Sequence, residues 1–530
     1  MTATAPLPRN PAAPAWPVLL AVGLIAITIR LTFLSGGPDR LDRLFFPDDT
    51  YYLLTIARNI AAGAGPSIDG VTLTTGFQPL IVAFLVPVFL LMDNPEMAAV
   101  ALAAITALFG VLANVLAAWL ALVLTQSRLA ATGVGLLIAT GPVFVVSHLN
   151  GLETSLAAAT LLAVALLVLR TPPGAGLGRF LAIGVLSGLA ILARVDSALA
   201  LIPIAAFGVM RHGWRPLLPV GLAAAAVMAP WVAFCLAVGG TPIPESGSAV
   251  RHIASLHVFT PIQTALMGLL ALGAIFPSGL FEPSLPFALT VAAILALPLA
   301  IAIVERRMTA VTALALSCLL LLAAYALWLR AFWFFDRYFS PIYTLVPIIA
   351  AALIFERLPR RPARRLWAML TLVLCSLNFT ALALHAARPV ITSARAFAPP
   401  MAYAAVARDL LPRLPAGTVL GAKQSGALTY FAPETIRVVN LDGVVNGPAA
   451  AAARTNRMCG YIAAQGVTHF ADWELNARFL SREVAAGESV ELDLLGLSEV
   501  IQDRNRYGLY AVTPRCATVR TAATGQKHPA

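Results

Sequence analysis

Apolar residues in this chain come in stretches long enough to cross the hydrocarbon core of a bilayer as a helix, separated by short polar breaks. The first stretch covers 16–34. Others follow at 97–125, 129–146, 152–169, 180–194, 198–210, 217–238, 287–304, 308–329, 339–355 and 366–385. Two shorter runs, 80–92 and 262–276, read as half-inserted segments. The pattern predicts a polytopic α-helical membrane protein with about eleven transmembrane helices.

The long polar segment 35–78 breaks this rhythm. Within it Leu53, Ile56, Ala57, Ile60 and Ala61 fall at helical spacing, with Tyr52, Thr55, Arg58 and Asn59 as the polar partners. Asp48 or Asp49 is the natural N-cap of this helix and Gly63 its natural stop. Such a helix lies in the membrane interface rather than across it. After His385 the pattern changes again. Strand-like runs at 418–421 and 435–441 alternate with helix-like stretches at 400–411 and 449–465, which predicts a small α/β domain. The expected organisation is a tail at 1–15, a membrane module at 16–386 with its first loop at 35–78, a C-terminal α/β domain at 387–516 and a second tail at 517–530.

Composition agrees: 59% of the 530 residues are hydrophobic and 12% charged, against about 25% charged in soluble domains. The net charge of +11 does not point to nucleic acid, because the excess sits between apolar runs rather than on a basic face with interleaved aromatics. Arg128, Arg170, Arg179, Arg211, Arg215, Arg306, Arg307 and the cluster from Arg357 to Arg365 all fall on one side if eleven segments cross. Lys and Arg accumulate in cytoplasmic loops, so the N-terminus is expected inside and the C-terminal domain outside the cytoplasm. The segment 16–34 is too long for a typical signal core and reads as a retained span. Cys235, Cys318 and Cys375 fall in apolar runs, while Cys459 and Cys516 lie in the C-terminal polar region, where an extracytoplasmic location would allow a disulfide.

With this parity, the acidic segment of the first loop shares a side with four others: 147–154 with His148 and Glu153, 194–196 with Arg194 and Asp196, 240–252 with Arg251 and His252, and 330–338 with Arg337. Ionisable groups at the edge of a bilayer are costly without a role, so their gathering marks one outward-facing site. Asp48 and Asp49 are adjacent on a helix, where side chains point about 100° apart. They do not form a facing acid/base pair. A single carboxylate can take the proton of an attacking hydroxyl, and arginines suit the phosphate of a leaving group. His and Cys show no metal-ligand spacing, and neither a P-loop nor a dinucleotide fingerprint is present.

Pro47-Asp48-Asp49-Thr50-Tyr51-Tyr52 after the first span, with Gly151-Leu152-Glu153-Thr154 and the run from Arg337 to Pro341, resembles the GT-C class of polytopic glycosyltransferases. That class includes the protein O-mannosyltransferases, the aminoarabinose transferases and the cell-wall arabinofuranosyltransferases. The resemblance implies an integral protein of the bacterial inner membrane with its active site on the extracytoplasmic face. It implies an inverting transfer from a polyprenyl-phosphate sugar to an envelope glycan, lipid or protein. By the same resemblance Asp48 is the general base, while Asp49 caps the helix, orients a partner or helps hold a cation. Arg251, Arg337 and Arg58 are candidate donor-phosphate contacts; His148, Glu153, Tyr52 and His252 are candidates to line the acceptor side. Glu153 could equally cap the following helix, and Arg194 with Asp196 reads as a structural ion pair. No cofactor is expected; a divalent ion at the Asp pair stays open, as some members of the class use one. The competing readings are a transporter or flippase of a lipid-linked sugar, and a non-catalytic scaffold of envelope assembly.

Overall fold

The computed structural model describes residues 15–257, 259–277, 280, 284–387, 402–500 and 506–516. The expected tails, apart from Ala15, lie outside them, as do residues 388–401, which follow the expected domain boundary at 386/387. The membrane part consists of α1 (Trp16–Leu34), α2 (Gly37–Leu44), α3 (Asp48–Ala61), α4 (Pro79–Leu91), α5 (Pro95–Thr125), α6 (Arg128–Thr140), α7 (Pro142–Leu149), α8 (Thr154–Arg170) and α9 (Leu177–Ala193). It continues through α10 (Ser197–His212), α11 (Leu217–Gly239), α12 (Glu245–Leu256), α13 (Pro261–Ala271), α14 (Leu285–Glu305), α15 (Ala310–Ala323), α16 (Phe335–Tyr338), α17 (Ser340–Arg357) and α18 (Arg360–Ala387). Among the described residues seven helices are long and apolar enough to cross a membrane, or nine if each bent pair is one span. Each of the eleven expected runs coincides with apolar helix, but α8, α9 and α10 have only 17, 17 and 16 residues and fall below that length. The short run at 80–92 forms the 13-residue α4. The run at 262–276 forms α13 and a following 3₁₀ turn.

The helices bury themselves unequally. α17 places most of its length in the bundle core, while Cys235 is the one buried residue of α11, which therefore faces lipid. One break in the bundle has a clear chemical cause. Between α6 and α7 the axis bends by 63° at Gly141-Pro142, because Pro142 brings no N–H for the Ile138 carbonyl. Arg30 of α1, fully buried, donates to the Ala139 carbonyl at 2.7 Å, to the Ile138 carbonyl at 3.5 Å and to His148 Nδ1 at 2.8 Å. A backbone carbonyl left bare inside a bilayer costs several kcal/mol, and this guanidinium removes that cost.

The C-terminal domain carries α19 (Tyr403–Leu410), β1 (Val419–Ala422), α20 (Gly426–Phe431), β2 (Arg437–Asn440), α21 (Gly447–Arg454), α22 (Met458–Gln465), β3 (His469–Trp473), α23 (Glu474–Leu480), β4 (Ser489–Leu497) and β5 (Tyr507–Arg515). The sheet order is β2-β1-β3-β5-β4; β1 pairs parallel with β2 and β3, and β5 pairs antiparallel with β3 and β4. Both expected strand runs are present. The helical stretch expected at 449–465 is divided, with Asn456 at φ 55° between α21 and α22. Cys459 and Cys516 form a disulfide.

The first loop and this domain share one core. Phe45, Phe46, Tyr51 and Leu54 of the loop pack with Leu428, Tyr430, Trp473 and Tyr507 of the domain and with Ala98–Ala107 of α5. The helix expected in the interface is therefore wedged between bundle and domain: α3 is buried from Thr50 to Ala57, and its polar side faces the domain rather than water. Gly63, at φ 80°, ends it as expected, with its N–H donating to the Ile60 carbonyl.

Candidate active site

The two adjacent carboxylates part company at the first turn of α3. No side chain caps that helix, which overturns the expectation that Asp48 or Asp49 does so. The Asp48 carboxylate is 2% exposed and turns to the C-terminal domain, where it accepts from Gly426 N–H at 2.7 Å and Ala427 N–H at 2.9 Å. Burial pushes Asp48 up to about 8, with the Ala427 and Gly426 N–H groups pulling it down and the charges of Asp49 and Asp472 pushing it further up. Asp49 points the other way. Its side chain is 19% exposed and pairs with Arg337, itself 20% exposed.

Arg337, in α16, opens a chain of charges at the mouth of the bundle. It pairs with Asp49 through Nη1 and with Glu153 through Nη2 at 3.1 Å. Glu153, between α7 and α8, also holds Arg194 at 3.3 Å. Arg194, between α9 and α10, pairs with Asp196 at 2.7 Å and donates to the Tyr325 hydroxyl at 3.0 Å. The Arg194 guanidinium also lies 5.2 Å over the Tyr338 ring, which stacks on Tyr325. Burial pushes the Glu153 carboxyl up, but the charges of Arg337 and Arg194 outweigh it and hold the group below its ordinary value. Arg337 is held above its own ordinary value, since Glu153 and Asp49 outweigh its burial. Its Nε is buried without a partner, so the fork keeps one donor in reserve.

Three of the four loops gathered by the sequence pattern thus join one network, which reaches Asp49 through Arg337. The fourth docks on the first loop and on the C-terminal domain: Glu245 N–H donates to Thr75 Oγ1, and Arg454 donates to Ser248 Oγ. Arg251, exposed on α12, stands 4.8 Å from the Trp328 ring and keeps its charge at the edge. His252 lies 3.3 Å from Glu483, which pairs with Lys423 at 2.7 Å. The Arg194–Asp196 pair is present as expected, but it also continues the network into Glu153.

The other candidates lie apart from the charge chain. Arg58 donates to the Tyr430 carbonyl at 3.0 Å and lies 4.9 Å over that ring. Tyr52 does not line a cavity. It is buried, and its hydroxyl accepts from Ser425 N–H and Asn440 Nδ2 and donates to the Lys423 carbonyl. His148 is 1% exposed and belongs to the Arg30 contact at the α6–α7 break. His252 faces Glu483 of the domain rather than the charge chain.

The sequence pattern read Asp442 only as a turn residue. It does make that turn, accepting from Val444 N–H at 2.8 Å. It is also buried, which pushes it up to about 7, and the charge of Asp49 pushes the same way. No local signal in Leu441-Asp442-Gly443 announces that. Among the described residues no group of three or more His, Cys, Asp or Glu is arranged to hold a metal ion.

No family model matches the sequence, and no curated protein does. Among solved structures the chain is similar to the archaeal oligosaccharyltransferase AglB from Archaeoglobus fulgidus, in complex with an inhibitory peptide and a dolichol-phosphate. The TM-score is 0.52 and the identity 15%, over 89% of this chain and 71% of that one. The apo form of the Archaeoglobus fulgidus oligosaccharyltransferase gives a TM-score of 0.51 at 14% identity over the same shares. ArnT from Cupriavidus metallidurans bound to undecaprenyl phosphate aligns over 94% of this chain and 98% of that one, at 14% identity and a TM-score of 0.49. The chain is an integral membrane protein with the GT-C fold.

Proposed function

We propose that this GT-C-fold protein is an inverting glycosyltransferase. It moves a sugar from a polyprenyl-phosphate donor to a cell-envelope glycan, lipid or protein at the extracytoplasmic face of a bacterial inner membrane. The observation that carries this reading is the chain of charges Asp49–Arg337–Glu153–Arg194 at the mouth of the bundle. It puts a partly exposed carboxylate beside guanidinium groups whose charge is locked.

An acceptor hydroxyl attacks the anomeric carbon from the face opposite the phosphate. Its proton passes to the carboxylate of the Asp pair as the new bond forms, a contribution of about 10²–10⁴-fold. The bond to the phosphate oxygen breaks with its electron pair, and the polyprenyl phosphate leaves as an anion. Arg337 is the candidate to meet that charge, since its fork matches phosphate oxygens and holds an unused Nε. Arg251, over Trp328, is the candidate for the headgroup at the exposed edge.

Orientation is supported by two features. α8, α9, α10, α15 and α17 carry site residues or their neighbours at one end, and Arg170, Arg179, Arg211, Arg306, Arg307 and Arg357 cluster at the other. Basic residues favour the cytoplasmic side. The Cys459–Cys516 disulfide suits an oxidising compartment for the domain. The transporter alternative gains nothing from Arg30, the buried cation of α1, because it is engaged by the carbonyls of the α6–α7 break.

The deciding experiment supplies purified, reconstituted protein with a panel of polyprenyl-phosphate sugars and envelope acceptors, with mass spectrometry of the products. A new glycosidic bond that is lost in Arg337→Ala supports the reading. Carrier movement across vesicles without any new bond overturns it in favour of a flippase.

A further inference from the structure

In an open α/β sheet, ligands bind in the crevice beyond the carboxyl ends of the parallel strands, where the order of strands reverses. Here that point lies at the end of β1, which has β2 on one side and β3 on the other. The turn from β1 into α20 offers five consecutive backbone N–H groups, from Lys423 to Ala427. All five are taken by side chains. Lys423 and Gln424 donate to Asp472 of β3, at 2.6 and 2.9 Å. Ser425 donates to the Tyr52 hydroxyl at 3.1 Å, and Gly426 and Ala427 donate to the two oxygens of Asp48. Three of the five N–H groups therefore find their partners on α3, 373 to 379 residues away in sequence.

The contact is close enough to dictate residue type. A Cβ added at Gly426 would lie 2.2 Å from the Asp48 carbonyl oxygen and 3.0 Å from its carboxyl carbon. The device also recurs once: Asp42 accepts from Ala404 N–H at 2.9 Å and Ala405 N–H at 3.2 Å at the start of α19, held there by the Tyr51 hydroxyl at 2.7 Å.

We propose that Asp48 is a positioning residue that plugs the β1–α20 turn and fixes α3 to the C-terminal domain, leaving Asp49 as the catalytic base. The second half of this assignment rests on the glycosyl-transfer reading; the first does not. The Asp48 carboxyl is buried and both its oxygens already accept backbone N–H bonds, so neither is open to a substrate hydroxyl. Asp49, one residue on and turned by about a quarter of a helical turn, faces the guanidinium of Arg337 without such a commitment.

Two readouts on the reconstituted full chain test this. Hydrogen exchange at 423–427 and 48–58 measures the plug, and kcat and KM with a polyprenyl-phosphate sugar measure catalysis. Asp48→Asn and Gly426→Ala, which act from opposite sides of one contact, are expected to raise exchange by about tenfold or more. They lower kcat in parallel and leave the shape of the pH–rate profile as in the wild type. Asp49→Asn leaves exchange unchanged and lowers kcat by at least about 100-fold. Tyr52→Phe gives a milder version of the plug defect should either stronger variant fail to fold. Wild-type exchange in Asp48→Asn together with lost turnover would overturn the assignment, as would normal turnover in Asp49→Asn. If no form of the protein transfers sugar, the glycosyl-transfer reading fails while the exchange results still decide the plug.

Discussion

Arg337 and Glu153 are 184 residues apart in sequence and meet at 3.1 Å, with Glu153 nearly sealed from solvent between two guanidinium groups. A carboxylate in that position is what allows two arginines to stand side by side at the edge of a bilayer. Without it their charges repel, and each is left uncompensated in a poorly solvated place.

Removing the carboxylate charge should therefore cost stability before it costs chemistry. Glu153→Gln is expected to destabilise the protein by about 3 kcal/mol, read as a lower melting temperature in detergent. Arg337→Lys keeps a charge but loses the fork that reaches Asp49 and Glu153 together. Its turnover is expected to fall about 100-fold with much smaller loss of stability. Equal melting temperatures for Glu153→Gln and wild type would contradict the first expectation.

The α6–α7 break supplies a prediction that does not touch the site. Arg30→Met strips the Ala139 and Ile138 carbonyls of their partner, at about 1–3 kcal/mol for each group left unsatisfied. Pro142→Ala returns an N–H in register with Ile138, so the double variant should recover part of the loss. The measurement is thermal unfolding of all three variants in one detergent; additive losses would refute the role given to Arg30.

Dependence on pH follows from four carboxyls. Asp472, Asp442 and Asp48 are raised to about 6, 7 and 8, chiefly by burial. A group raised in the folded state favours folding fully below its ordinary value and loses that contribution as pH climbs through the raised one. Glu153 is lowered, so its contribution is present above its ordinary value and lost on acidification. The melting temperature should then be highest at about pH 4, where the ordinary carboxyl values lie, and decline from there to about pH 8. Asp442→Asn should flatten the middle of that decline, and a wild-type profile that is level from pH 5 to 9 would refute it.

The disulfide closes a loop with a sequence separation of 57, worth about 4 kcal/mol by chain entropy. Replacing Cys459 and Cys516 together by serine should lower the unfolding midpoint of the domain and remove the mobility shift between reduced and oxidised protein on a gel. Absence of that shift in protein taken directly from membranes would argue against an oxidising location for the domain.

Much of this architecture was legible because a bilayer imposes a length on its helices and a sign on its loops. The apolar runs, the helix after Pro47, its stop at Gly63 and the meeting of Glu153, Arg194 and Arg337 near the Asp pair all follow from such local rules. The partners of Asp48 and Tyr52 were not legible, because, beside the Asn440 side chain, their donors at 425–427 are backbone amides of a domain more than 370 residues away, and an amide has no letter in the sequence. The surroundings of Arg58 and His148 were hidden for a related reason. Residue type announces a charge or a ring, but the groups that consume it, the Tyr430 carbonyl and Arg30, are fixed only by tertiary packing. Asp442 hid in an ordinary turn, and its burial depends on which way that turn faces.

The filled turn after β1 has one further consequence. A carboxylate tethered to the same polypeptide is present at its receptor at an effective concentration that no dissolved anion in the surrounding fluid can match. Soluble nucleotides and free phosphates are outcompeted there by the protein itself, whatever the ancestry of the sheet. On the proposed glycosyl-transfer reading, the activated sugar binds elsewhere than at this turn.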